Sequence, residues 1–203
     1  MPFQNSPNGF NNQNNSNSQG EKKRTNFPVG KLYAKDAIMA ITVWKSDSTV
    51  YTILSAKQAV GKDPSTNTNV YEQKMPNELP RVFLNPEDLR AFIEAADISP
   101  ITKGGSGSFT IAPRSGKSSV SVNGNNGQII ITFKSDKGTR TATFDAVTVG
   151  DINIPNPSWK NLLDLLKVAL NKALYAKLDA DEFGTALAAT AGGADAVGEE
   201  LPI

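Results

Sequence analysis

Two Asn-Pro pairs, Asn85-Pro86 and Asn156-Pro157, divide most of this chain into two units with the same order of elements. Asn is a preferred N-cap and Pro is favoured at the first helical position, so each pair predicts the start of a helix. The two starts lie 71 residues apart, and each follows a series of β-branched and aromatic segments. A chain that builds strands and then a helix, twice, indicates an α+β fold made of two repeats of about four antiparallel strands plus one helix.

The first repeat, about residues 28–97, begins with segments typical of strands. Lys31–Lys45 predicts one long strand and Thr49–Lys57 a second, because β-branched and aromatic residues dominate both. Shorter strands are predicted at Val70–Lys74 and Arg81–Leu84. The helix after Asn85 has a single apolar stripe, formed by Leu89, Phe92, Ile93 and Ala96.

Residues 98–107 are interpreted as a linker, and the second repeat, about residues 107–178, follows it. Its four predicted strands, joined by turns rich in Gly, Asn and Asp, are Ser108–Arg114, Ser118–Asn123, Gln128–Lys134 and Thr139–Val147. Asp151–Pro155 is a short extended lead-in to a helix from Pro157 to Leu178. The apolar stripe of this helix is wide, with Leu165 and Val168 on its flank, so we expect a homo-oligomer that associates through it.

Both ends of the chain differ from this middle part in composition. Residues 1–20 carry no charge and include seven Asn, three Gln and three Ser, which predicts a disordered arm over residues 1–26. Residues 178–203 contain no Lys or Arg but six acids, so we expect a disordered acidic tail over residues 179–203. Residues 21–150, in contrast, hold 17 basic and 12 acidic residues. A basic body with an acidic end suits a polyanion binder, and equally a soluble protein with patchy charge.

The composition argues against most enzyme chemistry. The chain has no Cys and no His, which removes thiolate nucleophiles, disulfides, the usual general base and the commonest metal ligand. The Gly-rich segment Gly104–Gly107 lacks the spacing of a phosphate-binding loop. No apolar run approaches the ~20 residues of a membrane-spanning helix, and no signal-peptide pattern is present at the N-terminus. We therefore expect a cytoplasmic protein with no enzymatic activity, no cofactor and no bound metal.

Basic and aromatic residues are interleaved along several of the predicted strands. Side chains of like parity share one face of a strand, so Lys31, Tyr33 and Lys35 are predicted to form one row. Cations along a backbone path and aromatic faces for any base are what sequence-tolerant single-strand binding requires. The candidate nucleic-acid-binding residues are Lys31, Tyr33, Lys35, Trp44, Lys45, Tyr51, Lys57, Arg114, Lys117, Lys134, Lys137 and Arg140.

Each of these residue types also has an ordinary structural role. Phe133, Phe144 and Phe109 are expected in the core, and Trp44 either stacks on a base or packs under a helix. Lys and Arg on strands commonly serve only to prevent edge-to-edge pairing of sheets. Tyr33 and Tyr51 are better candidates for stacking, since a phenol tolerates a half-wet surface.

Two segments carry a resemblance to a known family. Lys31–Met39 resembles the first-strand signature of the Whirly family, where a Lys-Gly-Lys-Ala-Ala-Leu element follows a Tyr. Asp151–Pro155 followed by Trp159–Leu174 resembles that family's second helix and its lead-in. The plan of about four strands and a helix, twice, is shared with the positive-cofactor-four coactivators and the kinetoplast guide-RNA-binding proteins. The resemblance, over about residues 28–176, implies a Whirly-like nucleic-acid-binding domain over residues 27–178.

The last residues, Glu199, Glu200, Leu201, Pro202 and Ile203, resemble the C-terminal tips of bacterial and phage single-stranded-DNA-binding proteins. That resemblance implies a tail that binds replication proteins. Together these patterns predict a sequence-tolerant single-stranded-DNA-binding protein of replication or recombination, encoded by a phage and acting in the bacterial cytoplasm. Two alternatives stay open: a β-rich virion or structural assembly protein with Asn-rich arms, and an RNA-binding or transcription-regulating member of the same fold.

Overall fold

The structure is a computed structural model that describes residues 24–46, 49–114 and 116–177. In these ranges five strands precede the first α-helix, and six strands lie between it and the second. The first group is β1 (Arg24–Tyr33), β2 (Ala37–Ser46), β3 (Thr49–Lys62), β4 (Asn69–Tyr71), β5 (Arg81–Leu84) and α1 (Pro86–Ile98). The second group is β6 (Gly107–Ile111), β7 (Ser118–Asn125), β8 (Gln128–Ser135), β9 (Gly138–Phe144), β10 (Val147–Val149), β11 (Ile152–Ile154) and α2 (Pro157–Lys177). The fold is α+β, as predicted.

The first sheet is an antiparallel meander in the order β1-β2-β3, and β4 and β5 both pair with β3. The single strand predicted over Lys31–Lys45 is wrong, because a tight turn at residues 34–36 splits it into β1 and β2. In this turn the Ala34 amide donates to the Ala37 carbonyl at 2.8 Å. The turn contains neither Gly nor Pro, the two strongest local signals for a turn. β1 also begins at Arg24, inside the segment assigned to the N-terminal arm.

The second sheet has the order β6-β7-β8-β9, and all its pairs are antiparallel. Asn126 and Gly127 form its central hairpin turn with φ angles of 48° and 82°, the left-handed conformation that an Asn-Gly pair favours. The strand predicted over Thr139–Val147 ends at Phe144 instead. Val147 starts β10, which pairs with β11 in a separate hairpin.

The core lies between the inner faces of the sheets and the two helices. Every second residue of β2 is buried, from Ala37 to Val43. In α1 the predicted stripe is buried, and the Asn85 side chain accepts a hydrogen bond from the Asp88 amide at 2.7 Å, which confirms the N-cap. Trp159, 1% exposed, anchors the start of α2. No helix among the described residues is long and apolar enough to cross a bilayer.

The predicted linker at residues 98–107 is a packed joint. A 3₁₀ helix, Pro100–Lys103, follows α1 directly, and its Ile101 is 1% exposed. A Cβ atom on Gly124 would lie 2.6 Å from Ile101 Cγ1, so only glycine allows β7 to approach this closely. The Thr102 hydroxyl donates to the Ala96 carbonyl at 2.6 Å and accepts from Trp159 Nε1 at 3.2 Å. The joint thus ties α1 to the start of α2.

A second joint connects the two sheets at the β1–β2 turn. The Lys35 amide donates to the Thr143 carbonyl at 2.9 Å, and the Thr143 amide donates to Asp36 Oδ1 at 2.7 Å. Lys35 Nζ also lies 2.8 Å from Asp145 Oδ2. The free edge of β9 is therefore covered by the turn, which protects it from pairing with another chain.

Candidate nucleic-acid interface

The first sheet has one face on the core and one face open. On the core-facing side β2 and β3 present buried aliphatic residues, while the alternate residues of both strands are half-buried on the open side. This open side forms the floor of a groove with a volume of about 850 Å³. We call it the open-face groove. Its volume is within the range of clefts that bind ligands.

Strand pairing arranges the side chains of the open face in four rows across the sheet. Residues directly opposite one another on paired strands lie side by side, so the register defines each row. The rows are Asn26–Trp44–Tyr51, Pro28–Thr42–Ile53–Phe83, Lys31–Ala40–Ser55–Arg81 and Tyr33–Ile38–Lys57.

The third row has cations at its two ends and small side chains between them. Lys31 on β1 and Arg81 on β5 border Ala40 and Ser55, and three strand spacings separate the two cations, about 14 Å. Lys57 lies in the next row, and all three cations line the groove. The floor is low in the middle and positively charged at its sides, which suits a chain of phosphates.

The segment after β4 forms one wall of the groove and contributes the acid Glu72. Arg140 of β9 neutralises this carboxylate through two hydrogen bonds, Nε to Oε1 at 2.8 Å and Nη2 to Oε2 at 2.7 Å. The Gln58 amide donates to it as well, at 2.9 Å. These bonds, led by those from Arg140, lower the pKa of Glu72 to about 2 despite its burial. The acid therefore does not leave an unbalanced negative charge in the groove.

Three aromatic rings on the open face contact one another. Trp44 stacks on Tyr51 with ring centroids 6.0 Å apart and planes 24° apart, and Tyr51 meets Phe83 edge-on at 6.2 Å. The Arg81 guanidinium lies 5.3 Å from the centre of the Phe83 ring. Of the two alternatives for Trp44, packing under a helix is wrong, because the ring lies on the open face against Tyr51. Tyr33, 67% exposed, stands apart at the other end of the face.

A second concave site, the junction cavity, adjoins the groove where the two sheets meet. Its volume is about 390 Å³, and Arg81 lines both spaces, so one cationic side chain borders each. Tyr51 and Phe83 line the junction cavity from the first sheet, and Arg114 and Lys117 line it from the β6–β7 connection. Lys117 also borders a third, open depression, which Lys134 lines.

Most of the predicted site residues fall on this continuous surface. Those on the open face or beside the two neighbouring cavities are Lys31, Tyr33, Trp44, Tyr51, Lys57, Arg114, Lys117 and Lys134. Lys137 lies in the β8–β9 turn, and Lys45 is on the opposite side of β2 from Trp44 by strand alternation. The predicted tail residues 199–203 lie outside the described residues.

Lys35 and Arg140, both predicted to bind nucleic acid, form ion pairs with acids of the other sheet. Lys35 does not continue the row of Lys31 and Tyr33, because β1 ends at Tyr33 and the Lys35 ammonium pairs with Asp145. Hydrogen bonding to Asp145 raises the pKa of Lys35 and lowers that of Asp145. Arg140 is held by Glu72 in the same manner. Both ion pairs link the two sheets; the Arg140–Glu72 pair is largely buried, whereas the Lys35–Asp145 pair is exposed.

Arg81 and Phe83 belong to the surface but were not among the predicted residues. Their strand, β5, was predicted with its correct bounds, and its alternation with the buried Val82 and Leu84 places Arg81 and Phe83 on the outer side. That alternation was the available signal. The sequence does not reveal that β5 pairs with β3, and this pairing brings both residues beside Tyr51 and Ser55.

Comparison of the sequence with models of known protein families and with curated proteins gives no match. Within the described ranges, no group of three or more acidic, His or Cys side chains is placed to hold a metal ion.

Proposed function

We propose that the protein binds single-stranded DNA without reading its sequence, and that the open-face groove is the binding surface. The observation that carries this proposal is the third row of the open face, where Lys31 and Arg81 border a floor of small side chains. Aromatic rings flank this floor on both sides: Tyr33 in the fourth row, and the Trp44–Tyr51–Phe83 cluster in the first and second rows.

The two kinds of side chain have separate tasks in this proposal. Lys31, Lys57 and Arg81 contact phosphates and release counterions, so they supply affinity that falls with salt. Tyr33 offers a ring that is 67% exposed, on which any base can stack. Duplex DNA is a poor ligand for such a surface, because its bases are already stacked and cannot reach the rings.

The proposed biological setting rests on the resemblances to the Whirly family and to the C-terminal tips of single-stranded-DNA-binding proteins. The order of strands and then a helix, twice, supports a Whirly-like assignment of the α+β fold. The acidic residues before Leu201-Pro202-Ile203 support a phage protein that acts in replication or recombination and contacts replication proteins through this tip. The exposed apolar residues of α2, among them Val168, support a homo-oligomer.

A titration with fluorescently labelled oligothymidine tests the proposal. We expect binding at low salt, a steep decrease in affinity with added salt, and weak competition by duplex DNA. The variant Lys31→Glu/Lys57→Glu should lose most of the affinity, whereas the matched control Lys103→Glu/Lys160→Glu, which changes the same charge near the helices, should keep it. Absence of binding by the wild-type protein at low salt would contradict the proposal, and tighter binding of oligouridine would redirect it to RNA.

A further inference from the structure

The junction cavity contains the two elements of a nucleotide-binding subsite, and the function proposed above does not require it. One side is aromatic, formed by Tyr51 and Phe83 of the first sheet. The other side carries Arg114 and Lys117 from the loop before β7. A base that stacks on the first side places its phosphate towards the second, which matches the amphipathic shape of a nucleotide.

Three cations line the cavity: Arg81, Arg114 and Lys117. None of them takes part in the ion pairs found among the described residues. Two acids, Asp88 at the start of α1 and Asp136 in the β8–β9 turn, share the lining. Three cations against two carboxylates leave the site positive. Carboxylates also accept hydrogen bonds from the amino groups of bases, which suits a base with its phosphate better than a phosphate alone.

Arg81 gives the cavity its connection to the open-face groove. Its guanidinium lies over the Phe83 ring, 5.3 Å from the centroid, and its side chain lines both spaces. A DNA strand that lies across the groove therefore reaches Arg81 at the edge of the first sheet, where the junction cavity begins. Arg81 alone can contact a phosphate at the passage between the two sites.

We infer that single-stranded DNA continues from the groove past Arg81 into the junction cavity, where Arg114 and Lys117 bind the phosphate of a nucleotide whose base stacks on Tyr51 and Phe83. This inference rests on the proposed function of the groove. It adds a second subsite, and it predicts that the length of DNA bound is greater than the first sheet alone accommodates.

The test compares two oligonucleotides, of about 4 and about 12 nucleotides, lengths within the range that small single-strand-binding domains cover. The variant Arg114→Ala/Lys117→Ala should bind the 4-mer as the wild type does and bind the 12-mer at least tenfold more weakly. Its salt slope on the 12-mer should fall by ~0.7, the contribution of the one phosphate contact that is lost. The control Lys103→Ala/Lys160→Ala removes the same charge elsewhere and should change neither value.

The outcomes separate this inference from the proposed function. Equal weakening for both lengths, or a change in slope no larger than in the control, overturns the subsite. If one of these results is obtained while Lys31→Glu/Lys57→Glu abolishes binding, the proposed function of the groove is retained and only the subsite is rejected. If the wild-type protein binds neither oligonucleotide at low salt, both proposals fall. Quenching of tryptophan fluorescence gives an independent readout, because Trp44 stacks on Tyr51 whereas Trp159 is 1% exposed.

Discussion

Arg140 of the second sheet holds Glu72 of the first through two hydrogen bonds, at 2.8 and 2.7 Å. The Glu72 side chain is 9% exposed and that of Arg140 18%, so water screens this pair little. Lys74 adds a weaker attraction at 3.8 Å. The pair fixes the wall of the open-face groove to β9, and it leaves the groove without an uncompensated acid. The fold and the proposed binding surface therefore depend on the same contact.

The first prediction concerns the pH dependence of folding. The pKa of Glu72 is lowered from 4.5 to about 2, so its contribution to stability is complete above pH 4.5 and is lost as the pH falls towards 2. A shift of this size corresponds to about 3 kcal/mol in the free energy of unfolding. Glu72→Gln should lower the stability at pH 7 by about 2–3 kcal/mol and flatten its fall between pH 4.5 and 2.

Urea denaturation at several pH values measures both effects. Glu94→Gln is the matched control, since Glu94 is an exposed acid of α1, and it should leave the stability unchanged at pH 7. A Glu72→Gln protein with wild-type stability at pH 7 would show that the ion pair does not hold the sheets together.

The elements that local chemistry determines were predictable from the sequence. α1 begins at the expected N-cap, and β5 has the expected bounds, because capping and alternation act over a few residues. The joints between the sheets were not predictable. Thr143 donates to Asp36 across 107 positions, and Arg140 reaches Glu72 across 68. No local pattern indicates such a partner, and so the ion pairs of Lys35 and Arg140 were not predicted.

The candidate surface, too, was predictable only where local alternation determines which way a side chain faces. Parity predicted that Lys31 and Tyr33 share a face, and both lie on the open side of the sheet. Trp44, Tyr51 and Lys57 lie on the same side through the pairing of β1 with β2 and of β2 with β3. Arg81 and Phe83 reach that side only through the pairing of β5 with β3. Such pairing depends on long-range contacts, which explains why the predicted surface was incomplete at this edge.

The two tyrosines of the open face should respond differently to truncation. Tyr33→Ala should weaken oligothymidine binding by roughly 1–3 kcal/mol without changing the melting temperature, because the ring is 67% exposed. Tyr51→Ala should weaken binding and also lower stability, since it removes the contacts with Trp44 and Phe83. Tyr175→Ala is the control for Tyr33: its ring is 72% exposed on α2, and binding should not change. Wild-type affinity in Tyr33→Ala would remove this ring from the surface.

Lys31 and Lys35 form a matched pair for the electrostatic part of binding. Both are exposed, but only Lys35 has an ion-pair partner, Asp145, among the described residues. Lys31→Ala should reduce the salt slope of oligonucleotide binding by ~0.7, the contribution of one phosphate contact. Lys35→Ala should reduce it by less. The slopes come from titrations at four or more salt concentrations, and a larger reduction in Lys35→Ala would reverse the assignment of the two lysines.

Self-association through α2 should depend on Val168 rather than on Leu165. Leu165 packs on β1, where a Cβ atom on Gly30 would lie 3.0 Å from its methyl groups, so a charge there would disturb the fold. Val168 is 45% exposed, so its replacement should leave the core unchanged. Val168→Glu should lower the mass measured by sedimentation while the melting temperature stays constant. A wild-type protein that sediments as a monomer at high concentration would exclude this contact.

The acidic end of the chain should compete with DNA for the groove. Residues 178–203 carry six acids and no Lys or Arg, whereas residues 21–150 carry five more basic than acidic residues. Deletion of Gly192–Ile203 removes three acids together with the apolar tip, and it should tighten oligonucleotide binding modestly at low salt. Asp195→Asn/Glu199→Gln/Glu200→Gln, which keeps the tip, should tighten it equally if charge is the cause. Both differences should vanish as added salt shortens the screening length below about 10 Å. Melting curves of both variants should match the wild type, and a large decrease after the deletion would mean that this segment packs on the domain.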